Sequence, residues 1–325
     1  TMYKNIILYG PPGTGKTYAT RKIALTKILE TLEKDEKLLD NHKITSNRES
    51  FDYLLSSNQI RFVTFHPSYS YEDFIEGIKP EVRRRSVIYT VQDGIFKQMA
   101  KLARRNPSKN FVLIIDEINR GNIPSIFGEL ITLIEEDKRE GEPNAISVTL
   151  PYSQEKFSVP SNLYIIGTMN TADKSIALLD IALRRRFSFI EIMPDVNILD
   201  GVIVYMREEG NNNSKINLNL NLKDLLKNIN EKISKDIGRN YAIGHAYFLQ
   251  YAEEGPNGEM YIDIKKLNMV FKDKIIPLLQ EYTNDDWEQM HKILGDKFIN
   301  KDNQNITDSL RTLGLGSDDF KTLYE

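Results

Sequence analysis

Five short apolar runs punctuate the first 192 residues: NIILY (5–9), RFVTF (61–65), FVLIID (111–116), LYIIGT (163–168) and SFIEI (188–192). Most are apolar with little alternation, the pattern of strands covered on both faces in a parallel sheet. Between them, apolar residues return at helical spacing over 17–34, 94–105, 123–137 and 175–186. This rhythm predicts an α/β fold, with a parallel sheet flanked by helices, over 1–194. Within it, ISVTL (146–150), a short polar turn and KFSVP (156–160) predict a hairpin before the fourth strand. After Met193-Pro194-Asp195 the pattern changes. The Asn-rich stretch 208–222 is expected to be a loop. The runs LKDLLKNINEKI and DIKKLNMVFKDKIIPLLQEY beyond it have helical spacing. Residues 195–325 are therefore expected to form a smaller, mainly helical domain.

Composition narrows the function classes. The net charge of −3 supplies no overall pull toward nucleic acid, so contact with DNA requires a local patch or another polypeptide. With no cysteine, disulfides and thiolate metal sites are excluded, and the chain fits a reducing compartment. No apolar run reaches the length of a membrane span, so a soluble, cytoplasmic chain is expected.

The chemistry begins at Gly10-Pro11-Pro12-Gly13-Thr14-Gly15-Lys16-Thr17, which fits G-x-x-x-x-G-K-[ST] without a mismatch. Glycine-rich backbone lets N–H groups converge on phosphate oxygens, and the following helix adds its positive N-terminus. Lys16 is expected on the β/γ-phosphates and Thr17 on Mg²⁺. Such a loop calls for an acidic residue at the end of a buried strand, and VLIIDEINR (112–120) supplies it. Asp116 would order the metal and Glu117 would polarise the attacking water. Capping of the next helix is the blander use of such a pair. Asn170 follows the strand expected beside that one, where a neutral amide can bind water or γ-phosphate without repelling it. The next helix ends in Arg184, Arg185 and Arg186. These either finish a solvated helix end or reach a neighbouring subunit's nucleotide as an arginine finger.

The P-loop, DEIN, the polar residue after the fourth strand and the arginines before the fifth resemble the AAA+ NTPases. Two stretches, MNTADKSIALLDIALRRRF (169–187) and FHPSYSYEDFIEGIKP (65–80), are similar to the McrB-type branch, the motor subunits of modification-dependent restriction systems. The resemblance covers about residues 3–250. It implies an Mg²⁺-dependent GTPase that works as a hexameric homo-oligomeric ring with an McrC-like nuclease subunit. It also implies hydrolytic roles for Asn170 and Asp173, coupling to the partner through Asn119 and Arg120, and interface roles for Asp180 and Arg184–Arg186. IGHAYF (243–248) resembles the lid segment, making His245 either a nucleotide contact or a histidine of the lid core. Lys174 departs from the arginine usual in the signature and lacks its bidentate fork. Family members usually carry an N-terminal DNA-reading domain. This chain opens directly on the P-loop strand, so DNA is expected to be met through a missing domain, the ring pore or the partner.

Competing readings are a nuclease built from Asp116 with Glu136-Asp137-Lys138, an ATP-using remodelling motor, and an assembly scaffold with little turnover. Lys79 and Arg83–Arg85 are expected on a solvated, charge-rich hairpin or facing a pore. Tyr69 and Tyr71 are expected to pack within their loop or to stack on bases.

Overall fold

The computed structural model describes residues 3–32, 48–83, 86–173, 181–208 and 211–325. They divide into two compact units, Thr1–Tyr9 with Lys16–Glu191, and Gly10–Gly15 with Ile192–Glu325.

The first unit is built on a five-stranded sheet. Its strands are β1 (Asn5–Gly10), β2 (Ile60–Thr64), β5 (Phe111–Asp116), β8 (Leu163–Asn170) and β9 (Ser188–Glu191), in the order β2-β5-β8-β1-β9. Every neighbouring pair reported in register is parallel. β5 shows why these runs carry no polar alternation. Val112 and Ile114 enter one core with Ala24, Leu25 and Ile28 of helix α1 (Lys16–Leu32) and with Phe51 and Leu54 of α2 (Arg48–Ser56). Leu113 and Ile115 enter the other core with Met99, Ala100 and Ala103. Both faces are covered, so each successive side chain is worth about 1.5–3 kcal/mol in burial.

Three further parts complete this unit. A short helix, α3 (Tyr71–Phe74), leads into an antiparallel hairpin of β3 (Glu76–Arg83) and β4 (Ser86–Asp93), followed by α4 (Ile95–Arg105). Lys97 of α4 is buried at the hairpin root, 2.6 Å from Glu76, 3.0 Å from Asp93 and 3.0 Å from Glu155. The charge-rich hairpin expected from the sequence is present, with Lys79 paired to Asp73 at 3.3 Å, whereas Arg84 and Arg85 lie outside the described residues. Its pairs Ile78–Val91 and Val82–Val87 share one exposed apolar face, which the charges had obscured. Tyr69 stacks on Phe65 and Tyr71 donates to Glu129, so both rings are used within the fold. The second hairpin is also present, as β6 (Val148–Thr149) and β7 (Lys156–Phe157).

The helix expected over 123–137 is broken. Asn122 caps α5 (Ile123–Phe127), Gly128 at φ +51° stops it, and α6 (Leu130–Leu133) resumes. Tyr71 lies where a Gly128 side chain would project, so packing as well as conformation keeps the glycine. Ile123, Ile126, Phe127, Leu130, Leu133 and Ile134 all remain buried, so the helical period survives a break in the helix. Of the helix expected over 175–186, the described part is α7 (Ile181–Arg184).

The second unit corrects one expectation. Within the Asn-rich stretch expected to be a loop, β11 (Asn211–Asn217) instead pairs antiparallel with the preceding β10 (Ile203–Glu208), in a four-stranded sheet with β12 (Glu253–Glu254) and β13 (Met260–Asp263). β11 lies at the sheet edge, where polar side chains are tolerated and the apolar alternation of a covered strand is not needed. Most of the remainder is helical, apart from one short antiparallel hairpin, Ile299–Asn300 with Asn305–Ile306. It includes α8 (Leu222–Asp236), the Ile264–Val270, Phe271–Ile275 and Ile276–Thr283 segments, and Trp287–Leu294. Phe271 anchors this unit's core against Phe248, Phe298 and Phe320.

Candidate active site

β5 delivers Asp116 at its C-terminal end, and the backbone then turns sharply. Glu117 adopts the left-handed conformation, φ 51° and ψ 44°, before the 3₁₀ turn Ile118–Arg120. For a residue with a Cβ this costs about 1–3 kcal/mol, a strain held in place by its surroundings. Those surroundings come from neighbouring β8. Thr168 donates its hydroxyl to Asp116 Oδ1 and accepts the Glu117 backbone N–H at 3.1 Å. Asn170 donates Nδ2–H to Glu117 Oε1. On the other side, Arg120 Nε lies 3.4 Å from Glu117 Oε2, and Arg120 Nη2 lies 3.2 Å from Asp173 Oδ2. The Asn119 amide donates to the Asn170 carbonyl at 3.5 Å.

Electrostatics ties Lys16 to this group. Its ammonium is buried, which pushes its pKa down to about 8 against the opposing pull of Glu117 and Asp116. Burial raises the pKa of Glu117, assisted by Asp116 and opposed by Arg120 and Lys16. A carboxylate moved toward neutrality and hydrogen-bonded on one oxygen suits a general base for water. Thr17 is exposed in the first turn of α1. With Asp116 it supplies hard oxygen ligands of the type Mg²⁺ takes alongside phosphate oxygens and water. No group of three or more His, Cys, Asp or Glu able to hold a metal by themselves occurs among the described residues.

The phosphate loop is shaped by the second unit. Gly13 (φ +74°) accepts the Ala246 N–H on its carbonyl at 3.0 Å, and a Cβ on Gly244 would sit 2.0 Å from that same peptide group. Only hydrogen atoms fit between the two glycine backbones. Tyr247 packs over Gly13, and Thr14 closes the loop by donating to the Pro11 carbonyl at 3.1 Å. Gly10 abuts the Ile192 carbonyl. Pro11 is buried and Pro12 half-buried, so the loop is held without their missing N–H groups. His245 is 6% exposed and accepts the Asp195 N–H on Nδ1 at 3.2 Å. In the neutral ring that burial favours, the proton therefore sits on Nε2, which faces Gly15. His245 is thus both a core histidine and a donor presented to the phosphate loop.

Lys16, Asp116, Glu117, Asn170 and Asp173 are brought together in the first unit, and Gly10–Gly15 with His245 in the second. Arg184, Arg185 and Arg186 join neither group. Arg185 and Arg186 line an open cavity of about 360 Å³ with Asn5 and Glu135, at the ends where β1 and β9 begin. Asp116 instead ends its parallel strand. Glu136 accepts the Lys4 N–H at that same starting end, so the nuclease grouping of Asp116 with Glu136-Asp137-Lys138 is not assembled. Lys174 and Asp180 lie outside the described residues. Sequence inspection missed Thr168, Gly244 and Tyr247. The polar Thr168 inside an apolar strand run and the glycine in IGHAYF were the available signals.

Residues 45–187 match the family model described as AAA domain (dynein-related subfamily), and 221–291 match McrB, alpha-helical lid domain. The Type IV methyl-directed restriction enzyme EcoKMcrB subunit of Escherichia coli (strain K12) is 39% identical over 306 residues, 91% of this chain and 58% of that protein. The Type II restriction enzyme BsuMI component YdiS of Bacillus subtilis (strain 168) is 26% identical over 313 residues, 86% of this chain and 78% of that protein. The chain thus spans little more than half the length of the first relative. An α/β nucleotide domain of this topology, followed by that lid, identifies the chain as a member of the McrB-type branch of the AAA family.

Proposed function

We propose that this chain is the GTP-hydrolysing motor module of a restriction system acting on modified DNA, working as a ring and powering an McrC-like nuclease subunit. The observation that carries hydrolysis is the placement of Glu117. Its carboxylate is oriented by Asn170 and Arg120 and stands beside Asp116 and Lys16. Glu117 takes the proton from the attacking water, and Asn170 holds both base and water in line. Lys16 and the backbone N–H groups of 10–15 bind the phosphate oxygens on which charge accumulates. Thr17 and Asp116 would hold Mg²⁺, which would supply further neutralisation of phosphate charge.

Ring assembly supplies the missing cation. Arg186 is 9% exposed and paired with Glu135 at 2.9 Å, and Arg184 packs over the Phe189 ring at 6.0 Å. Arg184 and Arg185 are both exposed, and Arg185, which is not held over a ring as Arg184 is, is the arginine best suited to complete a neighbour's site. Support for GTP, a ring and a nuclease partner comes from the McrB-type resemblance, and support for modified DNA from the name of the first relative.

The test is steady-state hydrolysis of Mg-GTP and Mg-ATP side by side, over a range of protein concentrations, with and without an McrC-type subunit. Preference for GTP with specific activity rising on assembly is expected. Preference for ATP, with no response to the subunit, refutes the restriction-motor assignment in favour of an ATP-driven remodelling motor.

A further inference from the structure

We propose that a second cavity, in the lid unit, receives the nucleotide base, and that Glu231 reads that base as guanine. The proposal rests on the nucleotide-hydrolysing function above and assigns its base specificity. The cavity is open, of about 530 Å³, within the range of small-ligand sites. Met193, Pro194, Val196 and Ala242 give it an apolar wall, and one face of α8 gives it a polar one. An apolar wall with few polar groups is what a flat heteroaromatic ring requires.

Its position ties it to the phosphate loop, and every residue involved belongs to the second unit. Asp195, between Pro194 and Val196, donates its N–H to His245, whose other ring nitrogen faces Gly15. Ala242 lies two residues before Gly244, which abuts Gly13. The segments that shape the phosphate loop therefore also wall the cavity.

Chemistry selects one reader among the α8 side chains. Asn230 is already committed, donating to the Ile243 carbonyl at 2.9 Å and accepting the Ile243 N–H at 2.7 Å. It fixes the wall and has little left for a ligand. Glu231 is exposed and makes no ion pair or side-chain hydrogen bond to another described residue. Lys227 and Lys235 lie one turn away on either side, on the same face of α8. An ionised carboxylate only accepts. Guanine offers it two adjacent donors, N1–H and the 2-amino group. Adenine presents a lone pair at N1, which repels it. A pocket committed to two donors rejects a base that lacks them far more strongly than an apolar pocket rejects a change of shape.

The full chain should be titrated with GDP, IDP, XDP and ADP in competition with a fluorescent guanine nucleotide. Wild type, Glu231→Gln and Glu231→Asp are compared, with melting curves for each. Wild type should bind GDP most tightly and lose affinity for IDP, which lacks the 2-amino group. Glu231→Gln should weaken GDP at least tenfold, leave ADP within threefold and strengthen XDP, because an amide offers the donor that the xanthine 2-carbonyl accepts. Glu231→Asp should retain GDP over XDP. A GDP preference that survives Glu231→Gln overturns the assignment of Glu231 and leaves the GTPase function standing. Equal weakening of all four nucleotides also overturns the specificity role. Tighter wild-type binding of ADP than of GDP overturns both.

Discussion

The charged cluster around Glu117 and the clamped phosphate loop solve different physical problems. Around Glu117 the work is done by charge. Asp116, Lys16, Arg120 and Asp173 converge in partly buried surroundings, and neutral Thr168 and Asn170 fix their orientation. Around Gly13 it is done by shape. Two glycine backbones touch, one peptide N–H bonds one carbonyl, and burial favours the neutral form of His245. Charge clusters tolerate small displacements because Coulomb energies fall slowly with distance, whereas a backbone contact tolerates none. Chemistry and holding should therefore fail separately when each region is perturbed.

The largest expected effect would test whether these two regions suffice alone. Arg185→Ala should lower GTP turnover at least ~10³-fold with an unchanged melting temperature, as for an arginine finger acting in trans. Arg186→Ala should instead destabilise the fold by about 1–3 kcal/mol through loss of its pair with Glu135, seen as a lower melting temperature. Exchange of these two phenotypes would refute the assignment. Next, Glu117→Gln should cut turnover about 10²–10⁴-fold while nucleotide affinity and nucleotide-dependent assembly persist. If assembly disappears with turnover, chemistry and holding are not separable.

The mirror-image test is Gly244→Ala. The added Cβ meets the Gly13 peptide, so nucleotide affinity should fall at least tenfold, with about 1–3 kcal/mol lost from the lid unit on calorimetry. Smaller still is the effect of pH through Lys16. Its folded pKa of about 8 lies below the usual 10.5, so the folded chain binds fewer protons than the unfolded chain between those values. Nucleotide-free stability therefore gains from this group as pH rises through that window. Bound phosphates favour the charged lysine, so binding takes up a proton and affinity should fall up to about tenfold per pH unit above 8. Titration calorimetry from pH 7 to 9.5 in buffers of different ionisation enthalpy checks both sign and proton uptake.

What the sequence determined by itself was whatever the chain decides within a few residues. The five sheet strands are legible because burial on both faces demands continuous apolar runs. Gly10–Thr17 is legible because its glycines meet a backbone requirement of the loop itself, and Asp116-Glu117 because a buried strand that ends in carboxylates stands out. Tertiary structure decided what depends on partners far along the chain. Thr168 braces Asp116 only because β8 lies beside β5, 52 residues away in sequence. β11 is a strand only because a sheet edge accepts a polar, asparagine-rich segment that has no apolar period to announce it. Gly128 breaks a helix whose buried period continues through it. The three consecutive arginines look alike in sequence, and burial against Glu135 is what separates Arg186 from exposed Arg185. Local conformational preference is written in neighbouring residues. Exposure, pairing and the identity of a cavity's reader are set by surfaces that only folding brings together.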